Sequence, residues 1–238
     1  MWVRTRASRK SYTSGVPNSS AAGEHPREAG EDPSEAGEHR PSLRTEQVAQ
    51  TRAALLGAAR RLFGQNGFTG TSVEDVAQAA RLTTGALYHH FPNKTALFES
   101  VFESIHAELM EASMHAAVGA ADDVELLARG FEAFLDAVLE PDVQRIVIID
   151  APAVLGLARF TELDERYAFA AITAALRSAA TSGTLRVEDP ETLARLLLGA
   201  LTRGGMLIAN SAQPRETRDA VASSIRALLL GLSSAADR

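Results

Sequence analysis

Residues 58–94 decide the fold, and they read AARRLFGQNGFTGTSVEDVAQAARLTTGALYHHFPNK. Apolar residues recur at helical spacing in three short segments, and turn signals separate these segments. The first segment ends at Asn66-Gly67, where glycine can take the left-handed conformation that closes a helix. The second ends at Arg81-Leu82 and the third at Phe91-Pro92. Three short helices, the last two joined by a tight turn, predict a helix-turn-helix.

The second and third helices carry signals for where they begin. Thr71 is followed three residues later by Glu74, which predicts a capping box with Thr71 as the N-cap residue. The third helix is expected from Thr83 to about His90. Its Leu87 is expected to face the core of the module, which Phe91 closes.

The rest of the chain predicts six more helices, which makes nine in an all-α fold. Alanine and leucine dominate the sequence, and no window alternates apolar and polar residues over the length of a strand. Pro152 is expected to end the sixth helix, because proline breaks a helix interior. The expected spans of the six helices are 93–117, 122–140, 141–151, 159–181, 190–211 and 214–231.

These patterns divide the chain into three segments. Residues 1–42 are predicted to be a disordered tail, because they are rich in Ser, Gly, Pro and Glu. The tail is either dispensable, as when a translation start is placed too far upstream, or a basic arm that adds phosphate contacts. Residues 43–92 are predicted to form a helix-turn-helix DNA-binding domain, and residues 93–238 a helical domain.

Charge and composition narrow the class of protein. The net charge is −6, but residues 43–94 hold six basic and three acidic residues, whereas residues 95–238 hold twelve basic and twenty-one acidic ones. Phosphate binding depends on local charge, so the basic stretch suits DNA. The absence of cysteine excludes disulfides and thiolate sites, and it suits a cytoplasmic protein. No uninterrupted apolar run is long enough to span a bilayer, so no membrane partner is expected.

The third predicted helix has the side chains of a DNA-reading helix. Gly85 and Ala86 are small enough to let the helix backbone approach bases in a major groove about 12 Å wide. Tyr88 and His90 can donate hydrogen bonds to flanking phosphates. Lys94 lies in the first turn of the fourth helix, where free backbone N–H groups also attract phosphate.

The runs AARRLFGQNGF (58–68), TSV (71–73) and GALYHHFPNK (85–94) resemble the tetracycline-repressor (TetR) family of transcription regulators. The resemblance implies base contacts by Thr84, Gly85, Ala86 and His89, and phosphate contacts by Ser72, Tyr88, His90 and Lys94. Thr83, which opens the helix, completes the candidate DNA contacts. The sequence departs from the family at Arg81-Leu82, where Gly-Val is usual. Because arginine tolerates a positive φ less well than glycine, the turn geometry is in question there.

The resemblance also implies that residues 93–238 form a ligand-sensing and dimerisation domain, and that the protein is a homodimer and a two-state switch. The last two helices of such proteins pair with those of a second copy, and the apolar residues within 193–208 and 221–232 suit that role. The same residues could instead form intramolecular core. The predicted protein is a repressor that leaves a palindromic double-stranded DNA operator when an unknown small-molecule effector moves the fourth helix. No cofactor is expected.

An effector pocket is expected among the fourth to eighth helices. The candidate lining residues are Phe102, His106, Met110, Phe131, Phe134, Asp150, Phe160, Tyr167 and Arg203. Asp150 and Arg203 interrupt apolar runs, and a buried charge needs a partner. Either these two residues pair with each other, or one of them orients an effector.

Two other functions compete with this interpretation. His106, Glu108, Glu111 and His115 share one helix, but the two histidines face different sides and no second helix repeats a carboxylate–histidine set. With no nucleophile elbow and no phosphate loop either, an enzyme is not expected. The alternative is a helical dimeric binding or interaction protein without DNA binding, which the acidic C-terminal half would suit.

Overall fold

The computed structural model describes residues 43–233 of the chain. Within that range the chain forms nine helices, and an isolated bridge between Leu185 and Ser233 is the only extended pairing. The helices are α1 (Leu43–Asn66), α2 (Val73–Ala79), α3 (Thr84–His90), α4 (Lys94–Ala116), α5 (Asp123–Ala137), α6 (residues 141–155), α7 (Leu157–Thr181), α8 (Pro190–Ala209) and α9 (Pro214–Gly231). The all-α prediction is confirmed. The predicted tail, residues 1–42, lies outside the described residues.

Helix α2 begins one residue later than predicted. Ser72 is the N-cap residue: its hydroxyl accepts a hydrogen bond from the Asp75 amide, and the Asp75 carboxylate accepts one from the Ser72 amide, each at 3.0 Å. Thr71 is buried, and its hydroxyl lies 3.1 Å from the Leu62 carbonyl oxygen and 2.9 Å from that of Gly67. The prediction of Thr71 as the cap was wrong, because its hydroxyl closes the preceding turn instead.

Helix α6 continues through Pro152, although it was predicted to end before it. Its three consecutive pieces are Pro141–Val143, a π-helical stretch Gln144–Asp150, and Ala151–Leu155. In the π register the Ala151 N–H donates to the carbonyl of Ile146, five residues back. This register change places Pro152 in the first turn of a new α-helical piece, where a missing N–H is tolerated.

Three phenylalanines join α1, the turn after it and α4. Phe63 and Phe98 are fully buried. The ring centroids of Phe63, Phe68 and Phe98 lie between 5.3 and 5.9 Å apart. Gly67 ends α1 with φ +74°, and this lets Phe68 fold back onto the last turn, as predicted. The first turns of α4 therefore pack directly on the helix-turn-helix.

Among the described residues, α8 alone is long and apolar enough to cross a membrane, judged by length and composition. Its buried face packs against α7 and α9. Gly204 permits close approach to α9 and Gly205 close approach to α6, since an added Cβ would lie 2.7 Å from the side chain of Val221 or Ile148, respectively. Seven residues of α8 are buried in this packing, whereas Leu196 and Leu207 remain exposed.

Replacing Gly67 by alanine is expected to destabilise the protein through strain and through a collision. A residue with a side chain is strained at φ +74°, and a methyl group there would displace the guanidinium of Arg145, which pairs with Asp150 at 3.2 Å. Gly183→Ala is the matched control, because Gly183 has φ +73° and a methyl group added there would meet no atom within 4 Å. We expect the free energy of unfolding in urea to fall by about 1 kcal/mol for Gly183→Ala and about 2 kcal/mol for Gly67→Ala. Equal losses would contradict the collision with Arg145.

Candidate nucleic-acid interface and ligand cavity

Helix α3 buries one side chain fully and exposes the face predicted to read DNA. Leu87 is fully buried, whereas Tyr88 keeps 48% of its surface exposed. Thr83, Gly85 and His89 are also exposed, and Thr84, Ala86 and His90 are half-buried. A helix with this exposed face can enter a major groove without rearranging the core beneath it.

Local contacts hold α3 in place. The Thr83 hydroxyl caps the helix by accepting a hydrogen bond from the Ala86 amide at 3.1 Å. Phe91, which follows the helix, is buried, and the Arg52 guanidinium of α1 lies 5.1 Å above its ring. The recognition helix is thus fixed at its start by a cap and at its end by an aromatic anchor.

The turn between α2 and α3 requires a positive φ at Arg81, which arginine tolerates less well than glycine. Arg81 has φ +58° and is the only non-glycine residue with a positive φ in the described chain. The Leu82 amide donates to the Ala77 carbonyl at 2.9 Å, so the turn is closed by the backbone. Arg81 is exposed in the turn before α3, and Arg52 of α1 lies over the Phe91 ring that follows α3.

The two residues expected to hold phosphates at helix starts also serve structural roles. Ser72 caps α2, and its hydroxyl lies 2.5 Å from the Asp75 carboxylate; these hydrogen bonds lower the pKa of Asp75. Lys94 opens α4, with its Nζ 4.3 Å from the centre of the Phe68 ring. The lysine ammonium is therefore held over the Phe68 ring at the start of α4.

Polar contacts connect the helix-turn-helix to α6. The Asp150 carboxylate accepts a hydrogen bond from the Phe68 amide at 2.7 Å and lies 3.2 Å from the Arg145 guanidinium. Arg60 of α1 donates to Asp142 at 2.7 Å and to Glu108 at 2.6 Å. Burial opposes the charge on Arg60, but these hydrogen bonds raise its pKa above the ordinary value.

The predicted pairing of Asp150 with Arg203 was wrong. Arg203 is exposed on α8, because the apolar residues around it in the sequence belong to the opposite, buried face of that helix. The Asp150 carboxylate instead forms an ion pair with Arg145 and accepts a hydrogen bond from the Phe68 amide. Of the two charged residues within apolar runs, Arg203 is therefore a surface residue, and Asp150 connects the helical domain to the helix-turn-helix.

A cavity of about 410 Å³ lies among α4, α5, α7 and α8. Most of its lining is aliphatic, methionine or aromatic, which is typical of small-molecule sites. Five residues predicted for the pocket line it, namely His106, Met110, Phe131, Phe134 and Tyr167. Phe102 and Phe160 are buried in the adjacent core, with ring centroids 5.8 Å apart, and Asp150 and Arg203 lie outside the lining.

Two polar groups face each other at the buried end of this cavity. His106 of α4 is buried; its Nε2 lies 3.3 Å from Asp164 of α7, and its Nδ1 lies 3.2 Å from the carbonyl oxygen of Phe102. Tyr167 packs next to His106 at 5.8 Å between centroids, and burial together with Glu103 raises the pKa of its hydroxyl. Sequence reasoning missed Asp164, because it lies within the charged run TELDER, where a solvent-facing carboxylate is the ordinary expectation.

Two family models match the chain. Residues 55–101 match the bacterial regulatory proteins of the tetR family, and residues 124–232 match the tetracyclin repressor-like C-terminal domain.

Known proteins share the fold and, in part, the sequence. A crystal structure of a TetR-family transcriptional regulator from Pectobacterium atrosepticum is 34% identical, with a TM-score of 0.71, over 79% of this chain and 97% of that one. The HTH-type transcriptional regulator AcrR of Shigella flexneri is 40% identical over 72 residues, which is 30% of this chain and only 34% of that relative. The crystal structure of RolR in complex with resorcinol has a TM-score of 0.63 at 18% identity, over 77% of this chain and 89% of that one, and it supports the fold alone.

Removing the Asp150 carboxylate is expected to loosen the turn before α2. Asp150→Ala leaves the partly buried Phe68 amide without its acceptor, so we expect the free energy of unfolding to fall by about 2 kcal/mol. Hydrogen exchange at the Phe68 amide is expected to accelerate more than at amides in the middle of α7. Asp219→Ala, on the exposed surface of α9, serves as the control. Unchanged exchange at Phe68 would show that the contact does not hold this turn.

Proposed function

This chain belongs to the TetR family of helix-turn-helix transcription regulators, a family of DNA-binding proteins and not of enzymes, and from that premise we propose that it is a repressor released by a small molecule. The observation that carries the proposal is the exposed polar face of α3 above a buried Leu87. The cavity in the helical domain supplies a place for the effector. A regulator of this kind works in the cytoplasm, where its DNA lies.

The proposed division of DNA contacts follows the positions of the side chains. Thr84, Gly85, Ala86 and His89 lie on α3 where base edges would pass, and Thr83 lies at its exposed start. Tyr88 and His90 flank this face, while Ser72 and Lys94 lie at the starts of α2 and α4. Tyr88, His90, Ser72 and Lys94 are therefore proposed to contact phosphates. At Ser72 and Lys94, the backbone N–H groups of the helix start add to phosphate binding.

We propose that α8 and α9 pair with the same helices of a second copy. Leu196 and Leu228 keep 66% and 61% of their surface exposed on these two helices, and Leu207 and Leu230 are also exposed. Large exposed aliphatic side chains on adjacent helices support a protein–protein interface. A dimer would also place two recognition helices about one turn of DNA, roughly 34 Å, apart.

The proposed switch uses α4, which extends from the DNA-binding face to the cavity. Lys94 opens this helix, and His106 and Met110 line the cavity further along it. An effector that displaces α4 would move Phe98, and with it the aromatic cluster that supports the helix-turn-helix. A shift of a few ångströms between two recognition helices is enough to lose register with successive grooves. RolR, which shares this fold, was crystallised with resorcinol bound, and that precedent supports a ligand role for the helical domain.

Substitution of His89 and Lys94 separates base reading from phosphate binding. With DNA flanking the protein's own gene, we expect His89→Ala to cost about 1–3 kcal/mol on the preferred site and to relax the sequence preference. We expect Lys94→Ala to weaken binding to every sequence. It is also expected to reduce the slope of log affinity against log salt by about 2 for a dimer, since each phosphate contact contributes about 0.9. Fluorescence anisotropy at several salt concentrations measures both effects.

Arg215→Ala is the control for net charge, because this exposed arginine lies at the start of α9 and not beside α3. It is expected to leave the salt slope unchanged. A Lys94→Ala slope equal to that of the parent would remove Lys94 from the phosphate contacts. Complete absence of DNA binding by the parent would favour the alternative, a helical dimeric interaction protein.

A charge placed on the proposed dimer face is expected to separate the subunits. Leu196→Glu buries a carboxylate at the interface and is expected to weaken dimerisation at least about 100-fold, with loss of specific DNA binding. Leu157→Glu is the matched control, because Leu157 is even more exposed but lies at the start of α7. Analytical ultracentrifugation distinguishes the two outcomes. A Leu196→Glu protein that sediments as a dimer would exclude this interface.

A further inference from the structure

The cavity has a distinct charge pattern. Its lining contains no lysine and no arginine, and its only carboxylate belongs to Asp164. The nearest arginine along α7, Arg166, is turned to Glu103 at 2.6 Å and to Glu162. A negatively charged ligand would therefore lose its hydration on entering a site that holds a carboxylate and no lysine or arginine. Its binding is disfavoured.

The cavity is elongated along α4. Its lining follows one stripe of this helix, from His106 through Met110 and Met114 to Val118 just beyond the helix end. The helical part of this stripe, from His106 to Ala116, is about 15 Å long. His106 is 5% exposed and Val118 is 73% exposed, so the stripe leads from a closed end to an apolar mouth. A ligand with a long apolar part fits this shape.

The polar groups are concentrated at the closed end. Oδ1 of Asp164 lies 3.3 Å from Nε2 of His106, and no further hydrogen bond to the Asp164 carboxylate is found within residues 43–233. Its side chain keeps 18% of its surface exposed although it lines the cavity. The second carboxylate oxygen thus remains available to a donor on a ligand. The rest of the stripe toward the mouth is aliphatic or thioether, apart from the Ser113 hydroxyl.

We propose that the effector class is an uncharged aliphatic molecule with a terminal hydroxyl, which donates its hydrogen bond to Asp164. The proposal rests on the proposed effector-released repression and assigns the chemistry of that effector. The alkyl chain lies along Met110 and Met114, and the hydroxyl reaches the His106–Asp164 pair. The corresponding carboxylate is disfavoured, because its charge faces Asp164 in a lining that holds no lysine or arginine. The corresponding methyl ether is also disfavoured, since it has no proton to donate and leaves the carboxylate oxygen unpaired.

Three probes of the same chain length test this assignment: decanol, decanoate and decyl methyl ether. Isothermal titration calorimetry of the full-length protein is expected to show decanol binding at least ten-fold more tightly than either of the others. Asp164→Asn keeps an acceptor oxygen but removes the charge. This substitution is expected to reduce the ratio of decanol affinity to decanoate affinity several-fold. Glu165→Gln is the matched control, because Glu165 pairs with Arg195 at 3.4 Å and does not line the cavity; the difference is expected to persist.

A further variant tests whether decanol binds inside the cavity. Met110→Trp fills the middle of the stripe and is expected to abolish decanol binding, with circular dichroism confirming its fold. Decanoate binding as tightly as decanol, no binding of decanol, or an unchanged preference in Asp164→Asn would each overturn the assignment. DNA binding measured on the same samples without any probe reports on the proposed function separately. A protein that binds its operator but not decanol is a repressor of another effector class.

Discussion

The packing of Phe98 against Phe63 and Phe68 is the constraint on which the other features depend. Phe98 belongs to α4, and the other two rings belong to α1 and the turn after it. Three packed aromatic rings contribute several kcal/mol, because each removes a large apolar area from water and adds specific ring contacts. The first turns of α4 cannot move independently of the helix-turn-helix while these contacts last. Whatever repositions α4 at the cavity also repositions the surface that meets DNA.

The polar contacts around this aromatic cluster have a different character. Arg60 connects α1 to α4 and α6 through two half-exposed carboxylates, so each pair contributes little to stability. Asp150 is more enclosed and holds a backbone amide of the turn, where loss of the acceptor costs more than an exposed pair contributes. Apolar packing thus keeps the two parts joined, whereas these directional contacts define how they are oriented. Contacts of that strength can be exchanged when a ligand binds, without unfolding the core.

Much of the fold could be predicted because its signals are local. Gly67, Thr83 and Pro92 mark turns and caps within a few residues, and the helical spacing around Leu87 predicts which side is buried. The exposed face of α3 follows directly from those two signals. Where signals compete over one or two positions, the sequence predicts wrongly: it favours Thr71 as the N-cap residue and Pro152 as a helix end, and the structure shows neither. Neither the tertiary use of the Thr71 hydroxyl nor the π register before Pro152 leaves a mark in the sequence.

The cavity was only partly predictable for the same reason. Asp164 is far from His106 along the chain, and only the packing of α7 on α4 brings them together.

The distance between the two helix-turn-helix modules of the proposed dimer tests most directly whether α4 couples the cavity to DNA binding. The chain contains no cysteine, so Gln78→Cys, at an exposed site on α2, gives one spin label per subunit. Pulsed electron paramagnetic resonance then measures the distance between the labels in the operator complex and after saturation with a cavity-binding alcohol. We expect one narrow distribution on DNA and a mean that differs by several ångströms when the cavity is filled. A distribution that stays the same while the alcohol is bound would contradict the coupling through α4.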